Sequence, residues 1–469
     1  MSATPDRAAA IAAAAERFDS GAYLADLAEL VAHPTESQNP EAGPALLAYL
    51  EEAMVPRLAA MGFETRIVEN PVAGRGPFLL AERIEDPALP TILTYGHGDT
   101  IRAQTERWRA GLTPWQTVIE GDRVYGRGTA DNKGQHLINL TALGIVLAAR
   151  GRLGFNVKAV IETGEETGSP GLHELFVAEN AALSADVLIA SDGPRLSPER
   201  ATLFMGARGG TIIDMEVDFR EGGHHSGNWG GLLADPGLVL AQALASITDK
   251  NGAIQVPEWR PTSLTNSVRA ALGDCPVEAP PSGPEIDDWW GEPGLTRAEK
   301  VYGWNSFCVL AFECGNPAAP VNAIQPRAWA RTQLRFVVGT DQDDIIPALR
   351  RHLDAHGFEA VKLSEGREVA FTATRLDPDH PWVQWATASV ARTTGARPAV
   401  LPNLGGSLPN EEFTDTLGIP TIWVPHSYTG CSQHAPDEHA LKPILREGLQ
   451  IMTGIWWDLG EPGVPARAA

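Results

Sequence analysis

The chain has 469 residues, 43% of them hydrophobic and 20% charged, which is material for more than one core and too long for a single ordinary domain. Its 59 acidic residues against 37 basic ones give a formal charge of −22, which excludes the basic surface that nucleic acid or an anionic membrane requires. No window approaches the roughly eighteen apolar residues of a membrane span, the N-terminus lacks the apolar run of a signal peptide, and four cysteines without a Cys-x-x-Cys pair fit a reducing, cytoplasmic setting.

Residues 6–17 and 41–61 carry Ala and Leu at helical spacing and predict helices. Thr91 to Tyr95 is a short apolar run opened by Pro90, expected to be a buried strand. A helix over 135–149, a strand over 155–161, a helix opening at Ser169-Pro170 and a strand over 186–190 follow. Alternation of this kind predicts an α/β sheet with functional residues on loops at the carboxyl ends of its strands.

Near residue 208 the pattern changes. Residues 211–219 and 328–336 alternate apolar with polar, as half-buried antiparallel strands do. Helices are expected over 236–247 and 341–356, with a Pro/Gly/Trp-rich tract from Val256 to Gly303 between the strands. The α/β pattern returns near Asp377. The expected organisation is a mixed-sheet catalytic domain in two parts, 1–207 and 376–469, interrupted by an inserted α+β domain over 208–375.

Five stretches carry the chemistry. His97 and Asp99 form His-x-Asp at a strand end, a spacing that lets the ring bind a metal while the carboxylate holds its other N–H; a solvated strand-end turn is the bland alternative. Gly126-Arg-Gly-Thr-Ala-Asp-Asn-Lys-Gly134 uses glycines to bring Asp131 into a crowded place. A phosphate cradle is disfavoured there because no Gly-Lys-Ser/Thr follows. Glu165 and Glu166 are adjacent carboxylates, which repel unless cations or protons lie between them. One can bind metal while the other acts as general base towards a water whose pKa a metal lowers to about 7. Asp192 follows the 186–190 strand and reads as a ligand or a helix N-cap. His434 stands in Ser-Gln-His-Ala-Pro-Asp-Glu, with His439 as a rival and Cys431 nearby. Imidazole and carboxylate donors suit zinc, and manganese or cobalt is tolerated.

Gly-His-x-Asp, Gly-Arg-Gly-x-x-Asp-x-Lys-Gly, Glu-Glu-x-Gly-Ser-Pro, Ser-Asp and Ser-x-His-x-Pro-x-Glu, in this order, resemble the M20 metallopeptidases, above all the carnosinase-like dipeptidase branch. The resemblance runs from about residue 20 to 458. It implies that His97, Asp131 and Asp192 hold one divalent ion and Asp131, Glu166 and His434 a second, with Glu165 as base, Asp99 behind His97 and a cis peptide after Asp131. It further implies that the inserted domain is a lid and dimerisation domain and that His225 polarises the scissile carbonyl across the homodimer it forms. Asn322, Arg335, Gly406 and Ser407 correspond to substrate-binding positions, with Arg335 pairing a free carboxylate. His225 and Arg335 also fit ordinary polar positions of an antiparallel sheet. Two departures stand out: Gly98 replaces a larger residue, and the tract with Trp289, Trp290 and Trp304 has no counterpart.

The expected activity is hydrolysis of the amide bond of a dipeptide or N-acyl amino acid. The alternatives are an amidase or deacylase acting on a non-peptide amide, and a metal-binding scaffold without catalysis.

Overall fold

The computed structural model describes residues 6–278, 284–366 and 371–465. The chain divides into two compact units: Met1–Gly206 with Leu376–Pro402 and Pro409–Ala469, and Ala207–Arg375 with Asn403–Leu408.

The first stretch of unit one supplies β1 (Glu64–Val68), β2 (Phe78–Arg83), β3 (Thr91–His97), β4 (Asn156–Glu162), β5 (Val187–Ala190) and β6 (Thr202–Phe204). Unit two supplies β7 (Gly209–Asp218), β8 (Ser306–Glu313), β9 (Arg327–Phe336) and β10 (Lys362–Glu365). The chain then returns to unit one with β11 (Ala399–Leu401) and β12 (Thr421–Trp423).

Unit one is built on an eight-stranded mixed sheet of order β1-β2-β4-β3-β5-β12-β6-β11. β3 lies parallel between β4 and β5, and its residues from Ile92 to His97 are buried. A strand covered on both faces reads as continuous apolar sequence, which is why it was visible in the sequence. The helices Arg7–Asp19, Lys133–Arg150 and Lys442–Leu459 pack together, with Arg7 Nε 2.8 Å from Asp458 Oδ1. Among the described residues no helix is long and apolar enough to cross a membrane.

Three expected helices differ in detail. The stretch 41–61 is helical but not uniform: Gly43–Ala48 and Val55–Ala60 flank a π-helical turn over Tyr49–Met54. Pro56 has no N–H to give and crowds the carbonyl four residues back, which a widened turn relieves. The helix expected from Ser169 starts at Leu172, because Ser169 and Gly171 have φ of 49° and 87°. The one expected from Asp341 is regular only over Ile345–Ala355.

Unit two is a four-stranded antiparallel sheet of order β8-β9-β7-β10. β9 alternates buried with half-exposed residues, and its buried side meets the helices Pro236–Ile247 and Ile345–Ala355 around Trp259. The Pro/Gly/Trp tract contains two helices that the sequence reading lacked, Asn266–Gly273 and Arg297–Tyr302. The second opens on a capping box between Thr296 and Glu299.

Candidate metal centre and substrate-binding residues

The strand ends of unit one deliver most of the site. β3 finishes on His97, Glu165 and Glu166 lie in the 3₁₀ turn after β4, and Asp192 follows β5 by two residues. Asp131 precedes the helix Lys133–Arg150, and the Asp131–Asn132 peptide is cis. His434 comes from the loop before Lys442–Leu459, at φ 58°.

His97 Nε2 lies 3.1 Å from Asp131 Oδ1 and 3.6 Å from Asp192 Oδ2. His434 Nε2 lies 3.1 Å from Asp131 Oδ2 and 2.9 Å from Glu166 Oε2. Within each of the groups His97/Asp131/Asp192 and Asp131/Glu166/His434, the donor atoms are all within 4.8 Å of one another. Asp131 therefore turns one oxygen to each group. Glu165 Oε2 stands 4.0 Å from His97 Nε2.

The residues behind these groups fix their positions. His97 Nδ1 is 3.1 Å from the Asp99 carbonyl and 3.3 Å from its Oδ1, while the Asp99 carboxylate accepts from the backbone N–H groups of Glu165 and Glu166. Asp99 thus orients the first histidine and the turn that carries both glutamates. Gly98 is explained by Tyr49, whose ring carbon would lie 2.2 Å from any Cβ at that position. The Tyr49 hydroxyl is 2.6 Å from His136 Nε2, and His136 Nδ1 is 3.0 Å from Asn132 Oδ1, so Tyr49 also braces the peptide next to Asp131.

Burial and mutual repulsion dominate the electrostatics. Burial, reinforced by Asp131, raises Glu166 to about 7 and Asp192 to about 6. Burial also raises Glu165, with His97 opposing and the neighbouring carboxylates adding. Hydrogen bonds accepted by the carboxylates of Asp131 and Glu166 hold the His434 ring up at about 11. Asp192 Oδ2 is buried with no hydrogen-bond partner among the described residues. Carboxylates crowded in this way, beside imidazoles and an orphaned oxygen, are the donor set a pair of divalent cations would neutralise.

The rival ligands fall away on contact geometry. His439 is buried, with Nε2 2.6 Å from the Tyr428 hydroxyl and Nδ1 3.0 Å from the Asp437 carbonyl. Cys431 is buried and belongs to neither donor group, and burial pushes its thiol up to about 12.

The substrate-binding candidates belong to unit two. Arg335 Nη1 donates to Ser407 Oγ at 2.7 Å, and Ser407 Oγ donates to the Arg208 carbonyl at 2.9 Å. The Gly406 carbonyl accepts from the Arg208 N–H at 3.2 Å. His225 is exposed on a two-residue strand paired with Ala323 and Ile324, and Asn322 is exposed beside it, its carbonyl accepting from Ser226.

Residues 93–458 match peptidase family M20/M25/M40. The chain belongs to that family. Beta-Ala-His dipeptidase of Mus musculus is 38% identical over 185 residues, 39% of this chain and 37% of the mouse protein, so that match spans little more than a third of the relative. Cysteinylglycine-S-conjugate dipeptidase of Corynebacterium striatum is 26% identical over 403 residues, covering 82% of this chain and 83% of that one. The crystal structure of an M20 family metallo-carboxypeptidase, Sso-CP2 from Sulfolobus solfataricus, shares the fold with a TM-score of 0.77, at 24% identity over 93% of this chain and 99% of that one.

Two residues quoted in the M20 motifs, but given no role there, prove structural. Glu438 and Arg127 are each 1% exposed and paired at 2.8 Å. Glu438 Oε1 also accepts from the N–H groups of Gly128, Ala130 and Asp131. This carboxylate clamps the Asp131 loop to the segment that carries His434. Gln433 was not singled out; its Nε2 donates to Asp131 Oδ2 at 2.6 Å. No pattern in the sequence marks a lone glutamine as a partner of the shared aspartate.

Proposed function

We propose that this M20 chain is a metal-dependent dipeptidase that hydrolyses the amide bond of dipeptides or related N-acyl amino acids. The observation that carries this reading is the pair of donor groups sharing Asp131, with the raised carboxyl of Glu165 beside them. The names of the dipeptidase relatives support the substrate class.

His97, Asp131 and Asp192 would hold one divalent ion, and Asp131, Glu166 and His434 the other, zinc in first place with manganese or cobalt tolerated. When bound, such ions polarise a carbonyl and acidify water. Glu165 accepts the proton of the attacking water and returns it to the leaving amine nitrogen, a general-base contribution of about 10²–10⁴-fold. Asp99 acts through His97 and the 165–166 turn rather than on substrate. Arg335, with Ser407 on its guanidinium and Gly406 adjacent, takes the substrate's free carboxylate. His225 donates to the developing oxyanion, a role worth about 3 kcal/mol for one donor, and Asn322 precedes Ala323, the residue paired with His225.

A homodimer belongs to this reading. β8 is the edge strand of the unit-two sheet, and Val309, Leu310 and Phe312 on it are 47%, 51% and 46% exposed. An apolar edge with free backbone groups favours pairing with a second copy. Four cysteines without a Cys-x-x-Cys pair support a cytoplasmic setting.

A mass-spectrometric hydrolysis panel on metal-stripped protein resupplied with zinc, manganese or cobalt tests the proposal. Metal-dependent cleavage of free dipeptides is expected. Cleavage confined to acyl or aryl amides would replace dipeptidase by amidase, and metal uptake without any hydrolysis would leave a scaffold.

A further inference from the structure

Unit two contains a cavity of ≈400 Å³, in the range of small-ligand pockets, walled by Trp290, Trp304, Phe307 and Ile254 with Arg208 and Glu292 among them. It is built rather than incidental. The Trp290 ring lies on Gly252, where a Cβ would come within 2.5 Å of it and where φ is +84°, so only glycine admits the indole there. Lys300 Nζ donates to the Trp290 carbonyl at 2.6 Å and fastens the wall to the capped helix Arg297–Tyr302.

Three polar atoms of the cavity walls are buried without a hydrogen-bond partner among the described residues: Arg208 Nε, Trp304 Nε1 and Glu292 Oε2. The Arg208 residue is only 5% exposed, yet its recorded side-chain partners are the Ser306 hydroxyl and the Arg335 carbonyl, both neutral. Burial, reinforced by the like charge of Arg335, lowers its pKa to about 10. A buried guanidinium without a carboxylate, beside two further orphaned polar atoms, is satisfied by a ligand that both accepts and donates.

The cavity adjoins the carboxylate clamp. Ser306 lines it and is the cross-strand partner of Arg335, which puts the two side chains on one face of the sheet, about 5 Å apart at their Cβ atoms. Arg208 joins them further, bonding Ser306, the Arg335 carbonyl and, through its own carbonyl, Ser407.

We propose that this cavity is the side-chain pocket for the substrate residue that carries the free carboxylate, and that it selects an aromatic side chain bearing a hydroxyl, a phenol ahead of a phenyl. The ring stacks among Trp290, Trp304 and Phe307, the hydroxyl oxygen accepts from Arg208 Nε or Trp304 Nε1, and its proton goes to Glu292. This deepens the dipeptidase reading and rests on it for the identity of the ligand.

The test compares kcat/KM for Ala-Tyr, Ala-Phe and Ala-Gly in the zinc-loaded enzyme, with calorimetric binding of free L-tyrosine as a second readout. Ala-Tyr should exceed Ala-Gly by about tenfold or more, the scale of a filled apolar pocket. Trp290→Ala should bring that ratio close to one, and Glu292→Gln, a near-isosteric change safe for folding, should narrow the gap between Ala-Tyr and Ala-Phe. Equal rates for Ala-Tyr and Ala-Gly in the wild type, or a ratio untouched by Trp290→Ala, would overturn the pocket. If no dipeptide is cleaved, the dipeptidase reading fails by itself and calorimetry decides the pocket: L-tyrosine binding lost in Trp290→Ala and weakened in Glu292→Gln supports it, and binding absent from the wild type or equal in all three proteins refutes it.

Discussion

The two donor groups share Asp131 but not their surroundings. In one, His97, Asp131 and Asp192 are 0%, 6% and 2% exposed, and the histidine is held from behind by Asp99. In the other, the His434 side chain is 54% exposed and its side-chain partners are the carboxylates of Asp131 and Glu166. The first half is set by the ends of β3 and β5 in the interior of the sheet; the second is completed by a loop. A preformed half and a loop-completed half sharing one carboxylate should differ in how readily an ion leaves, while the proposed chemistry needs both.

The strongest test of that dependence is the base. Glu165→Gln should lower turnover by about 10²–10⁴-fold with both ions retained by elemental analysis; near-normal turnover would remove Glu165 from the mechanism. Next in size is Arg127→Met, which leaves Glu438 buried without its cation. Denaturant unfolding should show a loss of about 3–5 kcal/mol. Because Glu438 also holds the backbone of Asp131, ion affinity should fall in both halves; an effect on one alone would break the idea of a shared support.

Release kinetics address the asymmetry itself. A chelator should remove the ions in two phases, and His434→Ala should abolish the faster one; a single phase in the wild type would make the halves equivalent. The smallest expected effect is in pH. Glu166 and Asp192 have folded pKa values raised to about 7 and about 6, so between about 4 and 7 these two carboxyls keep protons in the folded, metal-stripped chain that they lose in the unfolded one. Their contribution to stability should therefore fall as pH rises through that window, and the buried His136, held down at about 3, offsets part of it. The raised His434 extends the decline above pH 6.5. Saturating zinc should flatten the slope in thermal melts, and a slope of opposite sign would contradict the burial of these carboxyls.

Much of unit one could be read from sequence because its chemistry sits where apolar runs stop, as at Tyr95-Gly-His97 and Ala190-Ser-Asp192. The donor residues were visible through spacing and order. Apart from Asp99 behind His97, what holds them could not be read. Glu438 meets Arg127 across 311 positions, and the fit of Tyr49 against Gly98 exists only after folding. The helix Arg297–Tyr302 had a readable signal, Thr296 three residues before Glu299, which the surrounding prolines and tryptophans masked. The loop Asn403–Leu408 groups with unit two although its neighbours on both sides belong to unit one, a return that no local pattern announces.

The Glu438 clamp also has a consequence in time. A ribosome makes His97, Asp131, Glu166 and Asp192 early, then all of the second unit, and only afterwards His434 and Glu438. Until residue 438 has left the exit tunnel, the Asp131 loop lacks the carboxylate that fixes its backbone, and the second donor group lacks its histidine. A nascent chain can therefore complete neither the shared support nor the second donor group, and the proposed pair of sites is a late product of synthesis.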